Sequence, residues 1–197
     1  MHRDLTEKHK IFLRIFVFLL CEITKINIMK KIVVALAIVS ALVFAFSFTS
    51  SNSETEFSKE SLKTKLTATN KKDISFEKIL KQHKGKTVVI EVWASWCSDC
   101  IKSMPEVKEL KTQYPDVAFV NLSCDKTYDA WQNGIEKHEV SGENYLIKDG
   151  MKGAFGKSIS LDWIPRFIVV DKNGKIALFR AIEKDFDKIK ETIEQNK

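Results

Sequence analysis

Proline and glycine are scarce, with 3 and 7 among 197 residues. That excludes a collagen-like chain or a Pro/Gly-rich low-complexity one. No internal repeat is present, and no basic stripe with interleaved aromatics, so nucleic-acid binding is excluded from the leading readings. The formal charge of +6 does not restore it, because the excess is local. Residues 1–31 carry seven Lys/Arg against three acids, which leaves 25 bases against 23 acids in all that follows. What remains is ordinary: 44% hydrophobic and 29% charged residues, enough for one domain with a real core and hardly for two.

The basic excess precedes Ile32–Phe48, 17 residues without a charge, which end in a run of Ser, Thr, Asn and Glu. A short basic region, an apolar region and a polar exit form the layout of a signal peptide or a membrane anchor. The positive-inside rule keeps Lys30 and Lys31 in the cytoplasm and sends the remainder across the membrane. Ala45-Phe46-Ser47 suits cleavage, while 17 apolar residues reach the short end of a spanning helix, so both fates stay open. No cysteine stands at the exit, which excludes a lipid-modified one. Met29-Lys30-Lys31 makes a signal start by itself, so within 1–31 the first 28 residues are read as upstream sequence before a true start at Met29, or else as part of a longer leader. The expected organisation is thus 1–31 leader, 32–49 signal peptide or anchor, 50–70 polar linker, and 71–197 an exported globular domain.

Within that domain, Ile74, Phe76, Ile79 and Leu80 mark a short strand-to-helix junction. Thr87–Trp93 is β-branched enough for a strand buried on both faces, with Glu91 out of place in it. Cys97–Tyr114 has helical spacing and Pro115 beyond its end. Val117–Ser123 reads as a second buried strand and Tyr128–His138 as a helix. Arg166–Asp171 and Lys175–Arg180 flank Asn173-Gly174, a hairpin signal, and Lys184–Asn196 is an amphipathic helix. Signals over Ser141–Ser160 are mixed. A β-α-β-α order followed by β-β-α predicts an α/β fold with a mixed central sheet and helices on both faces.

The strongest chemical signal is Cys97-Ser98-Asp99-Cys100 at the strand-to-helix junction. This spacing puts two sulfurs within bonding reach in the first helical turn, where free N–H groups and the helix dipole stabilise a thiolate. Cys97 at the cap would be the exposed nucleophile and Cys100 the buried resolving thiol. Two plainer readings compete. A structural disulfide across so short a loop stabilises little. A zinc half-site needs two more ligands, and Cys124, His83 and His138 supply no second spaced pair, so no metal is expected. Cys124 is read as a small buried hydrophobe, and the two histidines, beside lysines, as surface residues.

Trp93-Ala94-Ser95-Trp96-Cys97-Ser98-Asp99-Cys100 resembles the active-site signature of thioredoxin-fold proteins. The exported context and the long Thr127–Ser160 stretch are most similar to the membrane-anchored thiol-disulfide oxidoreductases of the TlpA/ResA kind. The resemblance implies a thioredoxin-like three-layer α/β/α fold for residues 71–197. It also implies roles: Glu91 as the buried acid that relays protons to the inner cysteine, Pro105 as the proline of the active-site helix, and Ile164-Pro165 as the cis-proline loop that faces the disulfide and holds the substrate backbone. Trp96 would form an apolar lip. The chain departs from the pattern in the Ser98-Asp99 dipeptide, where thioredoxins carry Gly-Pro; a charge at Asp99 disfavours the Cys97 thiolate and makes the couple more reducing. Arg166 brings a cation to the same face, to offset Asp99, pair with it, or grip an acidic substrate. Ser103 stands where reductases of the ResA kind carry an acid.

The function expected from these residues is an exported thiol-disulfide oxidoreductase that needs no bound cofactor. It would reduce disulfides of envelope proteins, among them apocytochrome thiols awaiting haem, and be re-reduced by a membrane electron donor. The competing class is a redox-inactive thioredoxin-fold module for peptide binding or assembly. A peroxidase is the third and weakest reading, since no Pro-x-x-x-Thr-x-x-Cys stretch is present to position a peroxide.

Overall fold

The computed structural model describes residues 55–197; the expected leader and the apolar run 32–48 lie outside them. In chain order the elements are α1 (Lys59–Lys63), β1 (Lys65–Ala68), β2 (Asp73–Ser75), α2 (Phe76–Gln82), β3 (Val88–Trp93) and α3 (Ser98–Gln113). They continue with β4 (Ala118–Ser123), α4 (Tyr128–His138), β5 (Glu143–Leu146), α5 (Ala154–Ser158), β6 (Arg166–Val170), β7 (Ile176–Ala181) and α6 (Phe186–Asn196). Among the described residues no helix is long and apolar enough to cross a membrane.

The strands form one seven-stranded sheet in the order β2-β1-β5-β4-β3-β6-β7. β3, β4 and β5 are parallel neighbours, while β6 and β7 join antiparallel on one side and β1 and β2 on the other. Strand period 2 divides the core in two. Val88, Ile90 and Val92 of β3 join Phe76 and Ile79 of α2, Trp131 of α4 and Phe155 of α5. Val89 points the other way, to Leu110 of α3, Phe167 and Val169 of β6, and Ile189 and Ile193 of α6. The expected three-layer α/β/α order with a mixed sheet is present. Gly174 takes φ +87° in the β6–β7 turn, a conformation that suits glycine at a hairpin tip.

The polar linker expected over 50–70 is corrected from residue 55 onward. The Ile176 amide donates to the Thr55 carbonyl at 2.8 Å, and the Phe57 ring stands edge-on to Phe76 at 4.9 Å. Ser58 caps α1, and β1 pairs with both β2 and β5. The composition misled because this strand buries few side chains: in Lys65-Leu66-Thr67-Ala68 only Leu66 is fully enclosed. Two elements inside the mixed region, β5 and α5, were not expected either. Leu66→Ala is expected to cost about 2–5 kcal/mol of unfolding free energy in a denaturant titration, whereas a tether residue would cost nothing.

Candidate active site

β3 is buried at every position and ends against the active-site turn. The Cys97 amide donates to the Ala94 carbonyl at 3.1 Å, closing that turn, and Cys97 is the N-cap of α3. Its sulfur accepts from the Cys100 amide at 3.2 Å, the place a Ser or Asp oxygen takes at an ordinary N-cap. Cys97 and Cys100 are disulfide-bonded with Cα atoms 5.3 Å apart. Cys97 keeps 6% of its surface and Cys100 none, so an incoming group reaches only the first sulfur.

The Ile164–Pro165 peptide is cis, and the Ile164 carbonyl oxygen lies 3.5 Å from Cys97 Sγ. The structure thus brings together Cys97, Cys100, Ile164, Pro165 and Trp96, which projects into solvent at the rim. Ser98 opens α3, and Asp99, also in its first turn, has Lys102 Nζ at 3.5 Å. Ser103 is buried and its hydroxyl donates to the Cys100 carbonyl at 2.9 Å. Pro105 lies inside α3.

Arg166 does not meet Asp99. Its guanidinium is buried and pairs with Asp162, which also takes Arg180, and it donates to the Arg180 carbonyl. Burial lowers its pKa against the pull of Asp162. The expected cation beside the thiol, and the expected grip on an acidic substrate, are therefore corrected: a side chain this enclosed has spent its charge on its own loop.

Glu91 lies within the sheet, next to Phe167 on β6 and Asn121 on β4. Burial raises its pKa to about 7, with the Lys111 ammonium opposing. Glu91 and Lys111 line one cavity of about 10 Å³, roughly the room for one water. Met104 and Val107 of α3, one and two turns past Cys100, line it as well. Lys111 is held by the Ser141 carbonyl at 2.7 Å, and burial lowers its pKa.

Other residues at the site escaped the sequence. Asp125, nearly inaccessible, accepts from the Ser95 amide at 3.1 Å, the Ser95 hydroxyl at 2.6 Å and the Ser123 hydroxyl at 2.7 Å. It fixes the turn that carries Trp96 and Cys97. A Cβ on Gly134 of α4 would lie 2.5 Å from Ser95 Cβ, so that glycine permits the close approach. Trp163 stands beside Ile164 and is half exposed. Only its position next to Ile164-Pro165 could have drawn notice to it. The histidines are corrected too: His138 Nε2 is buried and borders the Glu91 cavity, and His83 is largely enclosed with Nε2 3.3 Å from Glu143. Cys124 is buried, its thiol pushed up to about 12 by burial.

Glu91 gives the site a pH signature. Its carboxyl is raised from 4.5 to about 7, so the folded state holds a proton that the unfolded state releases. The stabilisation is complete below about pH 4.5 and is lost as pH rises through 7, amounting to about 3 kcal/mol at about 1.4 kcal/mol per unit. Glu91→Gln is expected to flatten unfolding free energy across that window, as read by denaturant titrations at several pH values.

A family model described as thioredoxin-like matches residues 85–176. A Bacteroides vulgatus protein, solved in solution as a candidate thiol-disulfide oxidoreductase, is 34% identical; the match covers 66% of this chain and 84% of that one at a TM-score of 0.55. The thiol-disulfide oxidoreductase ResA of Bacillus thuringiensis is 30% identical over 107 residues, 53% of this chain and 60% of the relative. The chain thus spans less than two thirds of that relative's length. A thiol-disulfide oxidoreductase from Bacteroides fragilis, 24% identical with a TM-score of 0.57 over 68% of this chain and 98% of its own, shares the fold.

Proposed function

The chain belongs to the thioredoxin-like family, and from that premise we propose that it is an exported thiol-disulfide oxidoreductase working as a reductant of disulfides in envelope proteins. The observation that carries this reading is the disulfide-bonded Cys97–Cys100 pair at the start of α3, in which Cys97 keeps a small exposed fraction and Cys100 none.

The cycle starts from the reduced pair. The Cys97 thiolate, stabilised by the Cys100 amide and the helix N-terminus, attacks one sulfur of the substrate disulfide. One S–S bond breaks as another forms, and the departing substrate thiolate takes a proton from water. Cys100 then passes its proton to the Glu91 carboxylate and attacks Cys97 Sγ, releasing the second substrate thiolate. Two electrons have moved from the pair to the substrate. The pair is left as the disulfide, and Glu91 returns its proton to solvent. An acid with a pKa near 7 can do both halves of that exchange. The Ile164 carbonyl and Pro165 line the approach to Cys97.

The reducing direction is supported by the charges beside the nucleophile. Asp99 lies in the first turn of α3 and Arg166 does not neutralise it. A carboxylate there disfavours the thiolate and with it the reduced form, which lowers the potential. A reductant outside the cytoplasm needs electrons from a membrane dithiol donor, and maturation of c-type cytochromes is one process it would serve. The basic residues ahead of the apolar run 32–48 support export, with that segment cleaved or kept as the anchor.

Cys97→Ser is expected to abolish disulfide reduction, and Cys100→Ser to accumulate mixed disulfides with substrate proteins on non-reducing gels. The potential of the pair in the full chain, followed by tryptophan fluorescence, is expected below about −240 mV. A value above about −180 mV would make the protein an oxidant or isomerase. A pair that cannot be cycled in glutathione or dithiothreitol buffers would install the redox-inactive binding module in its place.

A further inference from the structure

Only two large apolar side chains among the described residues are strongly exposed, Trp96 at 61% and Trp163 at 50%. Single exposed apolar residues are common and need no explanation. These two are not scattered. Trp96 adjoins Cys97, and Trp163 adjoins Ile164, whose carbonyl oxygen lies 3.5 Å from Cys97 Sγ. Each tryptophan is thus one residue from one of two atoms in contact at the reactive bond.

The loop that carries Trp163 is held in place. Asp162 is bound by Arg166 at the start of β6 and by Arg180 in β7, and Leu161 and Ile164 on either side are buried. This anchoring has two consequences. Trp163 is presented on a fixed support, so little ordering cost remains when a partner covers it. The Asp162 carboxylate is also taken up within the loop, by two guanidiniums. The loop beside Cys97 therefore offers a partner apolar area and no unpaired carboxylate.

Resting on the oxidoreductase reading above, we infer that Trp163, together with Trp96, selects polypeptide disulfides in which the reacting cysteine is flanked by a bulky apolar residue. An extended segment entering to place its sulfur on Cys97 lays its neighbouring side chains beside these rings. Tryptophans at such sites carry a large share of binding energy. Asp162 is the positioning residue that aims Trp163.

The test uses the full chain with dithiothreitol as electron supply and two synthetic disulfide peptides that differ only in Leu or Ser beside the cysteine. The readout is the ratio of kcat/KM for the two, each variant normalised to its own exchange with dithiothreitol. The unaltered protein is expected to prefer the leucine peptide by about tenfold. Trp163→Ser should bring the ratio close to one, while Trp163→Phe keeps most of it. Turnover without preference, or a preference that survives Trp163→Ser, overturns the inference alone. No turnover of either peptide overturns the oxidoreductase reading and this inference with it.

Discussion

The sulfur of Cys97 takes the position of an N-cap oxygen, and the rest of the site is arranged around that hydrogen bond. A helix start leaves backbone N–H groups without partners, and here the Cys100 amide turns to Cys97 Sγ. For that geometry to hold, the chain must leave β3 at a fixed point and angle. β3 supplies the fixed point: it is paired between parallel β4 and antiparallel β6, and all six of its side chains are buried. The turn after it is pinned from below: the Cys124 amide donates to the Trp93 carbonyl at 2.8 Å, and Asp125 takes the Ser95 amide and hydroxyl. A sheet centre, a buried carboxylate and a helix cap thus share the task of fixing the Cys97 sulfur at the start of α3.

The same strand carries the one feature that a purely stable sheet would avoid. Glu91 sits on the face that Val89 shares with Leu110 and Phe167, where an apolar side chain would pack at no electrostatic cost. A carboxylate enclosed there either takes up a proton or finds a cation. The structure offers some of each: burial lifts the Glu91 pKa to about 7 while Lys111 pulls it down. Lys111 is in turn held by the Ser141 carbonyl and lies over the Phe119 ring, so the ammonium is fixed rather than free to close on Glu91. That leaves a carboxyl able to change protonation state near neutrality.

What the sequence disclosed, and what it withheld, follows from burial. β3, β4, α3 and the β6–β7 hairpin lie at the centre or carry strong turn signals, and their apolar patterns survive in the residue order. β1 and β5 were missed because their pairing is written in polar side chains: Asn144 of β5 donates to Val140 and Gly142 carbonyls and accepts from Asn121. Such residues read as loop until their partners are known. At the site, Cys97, Cys100, Trp96 and Ile164-Pro165 were legible because they stand in short contiguous motifs. Asp125 was not, since it meets Ser95 across 30 residues. Arg166 was legible as a cation near the cis-proline loop, but nothing in the order of residues says that Asp162, four positions earlier, would claim it.

That ion pair alters how charge is distributed over the redox end. With Arg166 drawn to Asp162 and to the Arg180 carbonyl, the positive potential felt by the Cys97 sulfur comes from the start of α3, and Asp99 works against it from the first turn. A partner meeting this surface finds a reactive bond bordered by tryptophans, with the loop's carboxylate already neutralised. A titratable carboxyl is kept inside the sheet, at Glu91, and apolar area at the exposed rim. Glu91 is enclosed within the sheet while Trp96 and Trp163 face solvent, so the exposed side chains can vary without touching the buried carboxyl.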